Sequence, residues 1–295
     1  MMYQSFLVFD KSRYLLQAAS VTALAIVLFM LHESPEGPNG GTWYGYTTGT
    51  LGALLIVWLA LFGIRKRAYA SNMGSVQGWL SGHVYFGVAL LVVATLHSAG
   101  EIGWNVHSLA YVLMCMVIFS GFYGVYLYRA LPQKIAANLA GRGRDEIYTQ
   151  IAELDRRGQR LVAATLPDVQ TAVSSAIERT AVLPDTYQLI LGQDSSRVLL
   201  PTADGSGSGL TGNSNQESIL SYLADQLSAS RGGEETVVLR DLIDLFTERR
   251  RLLNVLRNDN RMQSRLRTWL YMHLPITFVL LVALTVHVIT VFLYW

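Results

Sequence analysis

The chain has 295 residues, 51% of them hydrophobic and only 15% charged, with a formal net charge of +2. Soluble domains carry nearer a quarter of charged residues, so this composition argues for a membrane protein. The one cysteine, Cys115, excludes disulfides within the chain and iron–sulfur clusters held by this chain alone, and its place inside an apolar stretch reads as packing.

Five stretches are long and apolar enough to cross a bilayer, given that about 20 residues span its hydrocarbon core. In chain order they are Tyr14–Leu31, Tyr46–Ile64, Trp79–Ser98, Ser108–Tyr128 and Trp269–Trp295. The first is read as a retained helix, because no small-x-small cleavage site follows it at Met30-Leu31-His32-Glu33-Ser34. Lys11 and Arg13 precede the first span. Arg65, Lys66 and Arg67 follow the second, Arg129 and Lys134 follow the fourth, and Arg261, Arg265 and Arg267 precede the fifth. The segments 32–45 and 99–107 contain no Lys or Arg, only Glu33, Glu36 and Glu101. The positive-inside rule therefore places the N-terminus in the cytoplasm and Trp295 outside, with a bacterial inner membrane as the expected location. Trp43, Tyr44, Tyr46 and Trp104 read as an outer aromatic belt.

The expected fold class is an all-α membrane protein. Spans one to four occupy 1–129, a mainly helical cytoplasmic insertion occupies 130–268, and the fifth span occupies 269–295. Within the insertion, Ile147, Ile151 and Leu154 have helical spacing, as do Val169, Val173 and Ile177, and Pro167-Asp168 marks a helix start. Tyr187–Leu191 and Val198–Leu200 are short and strand-like. Asp204–Asn215, rich in Gly, Ser and Asn, reads as a flexible loop. Its glycines do not form a nucleotide-binding fingerprint. Ile219–Leu227 and Val237–Leu266 read as two more helices. Arg249-Arg250-Arg251 reads as a solvated or headgroup-facing patch, and no nucleic-acid partner is expected.

The chain has six histidines, and four of them fall into a doubled spacing. His83 and His97 lie 14 residues apart in the third span, and His273 and His287 lie 14 apart in the fifth. Fourteen steps of about 100° total roughly 1400°, within about 40° of four full turns, so each pair shares one helix face about 21 Å apart along the axis. The two spans run in the same direction, which levels His83 with His273 near the cytoplasmic side and His97 with His287 near the outer side. Two such levels are the geometry needed to clamp two stacked haems, each between two axial imidazoles. Covalent c-type attachment is excluded, because it needs Cys-x-x-Cys-His; the cofactors would be two haem b. Four histidines in membrane helices need a reason; interhelical hydrogen bonding is the blander one. Gly78, Gly82 and Gly87 on span three and Gly121 and Gly124 on span four could make room for a haem or simply let helices pack closely. Arg65, Arg67, Arg129, Arg265 or Arg267 could pair with propionates or serve only as positive-inside anchors. His107, His32 and Glu101, at outer helix ends, could accept protons from a quinol or be ordinary interfacial residues.

His83-x13-His97 and His273-x13-His287 on the third and fifth spans resemble the membrane part of the ferric reductase and NADPH oxidase superfamily, and also the dihaem core of respiratory cytochromes b. The resemblance implies that these four histidines ligate two stacked b haems carrying electrons across the bilayer. It covers spans three to five. The chain departs from both groups: it has five expected spans, no flavin or nicotinamide fingerprint, no Pro-Glu-Trp-Tyr quinol motif, and the 130–268 insertion. The expected function is a dihaem cytochrome b linking a quinone pool to a partner redox protein, as one subunit of a larger complex in the lipid bilayer, with an oligomer of this chain left open. Candidate partners are a c-type cytochrome, an iron–sulfur protein or a flavoprotein. Two alternatives stay open: an outer-face ferric or oxygen reductase core fed by a cytoplasmic flavoprotein, and a non-redox membrane scaffold.

Overall fold

A computed structural model describes residues 6–33, 41–68, 72–163, 165–182, 188, 193–202 and 207–293. The chain is mostly helical: α1 (Arg13–Leu31), α2 (Trp43–Arg67), α3 (Val76–Ser98), α4 (Val106–Leu139), α5 (Arg144–Val162), α6 (Pro167–Glu178), α7 (Glu217–Ala229) and α8 (Glu234–Leu293). Five of these helices contain a stretch long and apolar enough to cross a membrane, which marks an integral membrane protein. The residues fall into two compact units, Met1–Tyr126 with Trp269–Trp295, and Leu127–Thr268.

The first unit is built from α1, α2, α3, the first turns of α4 and the last part of α8. Its helix starts are capped by the sequence. Thr42 and Ser75 accept hydrogen bonds from the amides of Gly45 and Gly78, both at 3.1 Å, each worth about 1 kcal/mol. Ile56, Leu59, Leu90, Met114, Ile118 and Leu280 form its buried core. Leu16, Leu24, Leu54, Phe119, Phe278 and Phe292 are exposed, as expected of side chains that face lipid. Polar groups tie the helices together: the Tyr44 hydroxyl donates to the Ala25 carbonyl at 3.1 Å, and the Trp269 indole donates to the Ser120 carbonyl at 2.7 Å. Tyr44 is therefore not a belt residue; it is 1% exposed, while Trp43 and Trp104 are exposed.

The second unit contains a feature the all-α expectation missed. Arg197–Pro201 (β1) and Ser208–Gly212 (β2) pair as an antiparallel hairpin, with Leu199 opposite Leu210. The Gly–Ser run expected to be a loop supplies β2 because β1 offers its backbone a ladder that composition cannot reveal. Of the other strand-like run, Tyr187–Leu191, all but Gln188 lies outside the described residues. Val237–Leu266 and the fifth span were also expected as separate helices, yet α8 is a single helix of 60 residues. No Gly or Pro lies between Leu266 and Trp269 to end it.

Arg249 corrects the reading of the arginine run. It is fully buried, because helical spacing places it in line with Leu242, Leu245, Phe246, Leu252, Leu253 and Leu256, all buried. Its guanidinium donates to Asp155 at 2.6 Å, Gln216 at 2.7 Å and Thr180 at 2.9 Å. A buried charge survives only with such partners. Replacing Arg249 by Leu should lower the stability of this unit by about 2–4 kcal/mol, whereas replacing Arg251, which is exposed and paired only with Glu248, should change it by less than about 1 kcal/mol. Denaturant unfolding of the two variants checks the contrast.

A second charged pair joins Arg257 to Asp194 at 2.8 Å. Burial alone would raise the Asp194 carboxyl, but hydrogen bonds from the Ser196 hydroxyl, the Asn215 amide and the Ser196 amide, with the Arg257 charge, hold it below its ordinary value of 3.8. A group depressed in the folded state stabilises above its unfolded pKa and loses that contribution as pH falls through the folded value. Thermal unfolding followed from pH 7 down to about pH 3 should therefore show an acid-side loss of stability that Asp194→Asn reduces.

Candidate site: two levels of histidine

The third span presents its two histidines to α2. The Nδ1 of His83 lies 3.1 Å from the Leu59 carbonyl oxygen, and the Nδ1 of His97 lies 2.8 Å from that of Gly45. Gly45 and Leu59 are themselves 14 residues apart. Two antiparallel helices thus meet in one constant register, and α2 offers a backbone acceptor at each level. A carbonyl can only accept, so Nδ1 carries the proton and the Nε2 lone pair of each ring is left to bind something else.

The fifth span meets α4 in the same way at one level. The Nδ1 of His273 lies 2.6 Å from the Ser120 hydroxyl oxygen, and that hydroxyl donates its only hydrogen to the Val117 carbonyl at 2.8 Å. With its hydrogen on the Val117 carbonyl, Ser120 accepts from His273, which gives the same tautomer. His273 is buried. Trp269 packs over its ring at 5.2 Å between centroids, and Phe62 packs on His83 at 5.1 Å. His83 and His273 lie within Coulombic reach of each other. Fourteen residues before Ser120 the same register arrives at Val106, next to His107.

His107 accordingly joins the outer level. Ring centroids are 4.7 Å apart for His107 and His287, 5.4 Å for His97 and His107, and 6.3 Å for His97 and His287. One ligand nitrogen from each ring lies within 4.8 Å of the other two. The short α3–α4 connection makes this possible. Ala99 and Gly100 adopt positive φ values of 49° and 80°, and Asn105 caps α4 by accepting from the Ser108 amide at 2.9 Å. The end of one helix is thereby turned directly into the start of the next.

Gly49 pins the His97 ring. A Cβ built there would stand 2.6 Å from the ring Cε1, so any side chain must displace the imidazole. The three outer rings border a small, partly open pocket, lined otherwise by mostly apolar groups such as Gly52, Leu90, Met114 and Leu284.

The glycines expected to make room for a ligand mostly do something else. Gly78 accommodates Phe9, Gly82 accommodates Trp58 and Tyr14, and Gly124 accommodates the Trp269 ring. A Cβ on Gly121 would make ordinary contact with His273, and Gly87 faces open space. Arg65 donates to the carbonyls of Ala68 at 3.0 Å and Gly74 at 2.5 Å, closing the turn after α2. His32 parts from His107: its ring stacks on Tyr44 at 5.5 Å and meets Trp43 edge-on at 5.4 Å. Glu101 lies within Coulombic reach of His107. Sequence reasoning missed Gly45, Gly49, Leu59 and Ser120 as partners of the histidines. The 14-residue echo of Gly45 and Leu59 was the available signal.

Comparison of the chain with protein-family models, with curated proteins and with solved structures found no match.

Full-length protein labelled with 15N-histidine should show His83, His97 and His273 as Nδ1-protonated tautomers in its imidazole nitrogen shifts. Gly49→Ala should remove that signature from His97 and leave it at His83. Retention at His97 would mean that the ring is not pinned by α2.

Proposed function

We propose that the chain is a b-type cytochrome subunit that carries electrons across a membrane between a quinone pool and a partner redox protein. The observation that carries this reading is the set of three imidazoles, His83, His97 and His273, each held through Nδ1 with Nε2 left free. Metal-ligating histidines are oriented in this way, with the second nitrogen donating to a carbonyl or hydroxyl. Polar side chains are costly in membrane helices and need a reason, and an imidazole oriented through Nδ1 presents Nε2 to a ligand.

His83 and His273 would hold an inner haem b, and His97 and His287 an outer one. A haem supplies one-electron transfer at its iron. His97 and His287 would hold the outer group from two helices, their ring centroids standing 6.3 Å apart. His107 is closer to each of them than they are to each other, so a macrocycle enters that level only with the His107 ring turned aside. The chain's own residues do the rest. Leu59, Gly45 and Ser120 fix the ring planes, Phe62 and Trp269 shield the inner imidazoles, and apolar side chains exclude water.

Arginines and lysines flanking the spans support a cytoplasmic N-terminus and an outward C-terminal end, in a bacterial inner membrane. No flavin fingerprint is present in the sequence, so the electron donor is a quinol or a partner such as a c-type cytochrome, an iron–sulfur protein or a flavoprotein. Quinol oxidation would release protons at the outer side, where His107 and Glu101 can accept them.

Purified protein should hold two low-spin b haems per chain, both removed by acidic acetone. His83→Ala or His273→Ala should cost one spectral component, and His97→Ala or His287→Ala the other. Loss of the same component in His83→Ala and His97→Ala would break the assignment of levels. Quinol should reduce the haems and NADPH alone should not; rapid reduction by NADPH without a partner would favour a reductase instead.

A further inference from the structure

We propose that His97, His107 and His287 form a binding site for a transition-metal ion of the zinc and copper class, an alternative occupant of the outer level to the haem assigned above. The metal site itself does not depend on the haem reading; only its competition with haem rests on it.

Three observations carry the site. First, the trio converges: one ligand nitrogen from each ring lies within 4.8 Å of the other two, although the rings come from the end of α3, the start of α4 and the last turns of α8. Second, the donor set is chemically narrow. Three imidazoles suit zinc and copper, and also iron and nickel, whereas calcium and magnesium require oxygen ligands. Third, one donor is already oriented, since His97 is held through Nδ1 by the Gly45 carbonyl at 2.8 Å and backed by Gly49, which leaves Nε2 as its ligand atom.

The electrostatics bear on the occupant too. Three neutral imidazoles leave the charge of the ion uncompensated in an apolar setting, which is costly. Glu101 is the carboxylate within Coulombic reach of His107. A divalent ion there draws on Glu101 for compensating charge. Three protein ligands beside a partly open pocket leave a fourth coordination position open, the arrangement of sites that exchange a ligand.

The same geometry makes the two occupants exclusive. His107 stands in the gap between His97 and His287, so a bound ion holds it there and a macrocycle requires it to leave. The outer level then has two loading states, and the position of one imidazole separates them.

The test is a titration of full-length protein in detergent, without added haem, with Co2+, whose visible bands report the ligand field. One ion per chain should bind, with bands characteristic of nitrogen ligation, and Zn2+ should displace it. His107→Leu should weaken Co2+ binding at least tenfold, and Arg251→Gln, at an exposed position outside both levels, should leave it unchanged. His107→Cys should restore binding and add a sulfur-to-cobalt charge-transfer band, which a merely misfolded site could not produce. Addition of haem to the Co2+-loaded protein should release the ion. The site is refuted if Co2+ fails to bind or if His107→Leu binds like the parent. Binding of Co2+ without any haem uptake would overturn the cytochrome reading and leave the metal site standing; haem uptake without Co2+ binding would do the reverse.

Discussion

An imidazole N–H inside an apolar bundle must find an acceptor, and the arrangement of the histidine helices follows from that demand. Leaving such a donor unpaired costs about 1–3 kcal/mol. The helices offer few free acceptors, because their carbonyls are already engaged in the backbone ladder. α2 solves this by sharing two of its carbonyls, at Gly45 and Leu59, with His97 and His83. α4 solves it once with the Ser120 hydroxyl. At the fourth position the register delivers another imidazole, His107, 4.7 Å from His287 between ring centroids. The asymmetry between the two levels arises from that one substitution of partner.

The small residues of the bundle divide by task. Gly49 lets an imidazole approach α2 closely enough to reach the Gly45 carbonyl one turn away. Gly82 and Gly124 admit Trp58 and Trp269 instead, so aromatic rings wedge the helices where a smaller side chain would leave a void. Trp58 in turn stacks on Trp79 with centroids 5.1 Å apart, an offset pair worth about 0.5–1.5 kcal/mol beyond its buried area. The aromatic residues thus fix the depth and rotation of α3 relative to α2, and with it the heights at which His83 and His97 stand.

The sequence made some of this legible and hid the rest for physical reasons. Hydropathy located all five apolar helices, and the histidine spacing singled out three rings held through Nδ1, His83, His97 and His273, with His287 in the outer cluster. The partners of those rings were hidden because a backbone carbonyl has no residue type; only its 14-residue echo, from Gly45 to Leu59, leaves a trace. His107 was singled out for proton chemistry, but its convergence with His97 and His287 needs the tight Ala99–Asn105 connection, which hydropathy does not encode. Arg249 was misread because an arginine run looks solvated until Asp155, Gln216 and Thr180, all distant in sequence, are brought to it. The hairpin was missed because its second strand draws its order from β1, whatever its own glycines and serines prefer.

The matched spacing along α2 also sets a limit on how this chain can change. Removing one residue between Gly45 and Leu59 would turn the rest of the helix by about 100° and shorten it by about 1.5 Å. One of the two acceptor carbonyls would then leave its histidine, whichever end of α2 stayed in place. The segment therefore behaves as a gauge block whose length is fixed at both ends by hydrogen bonds that carry no side-chain identity. Sequence drift within it is free wherever packing allows, but its length is not. Among descendants of this chain, 45–59 should vary in letters and remain constant in number.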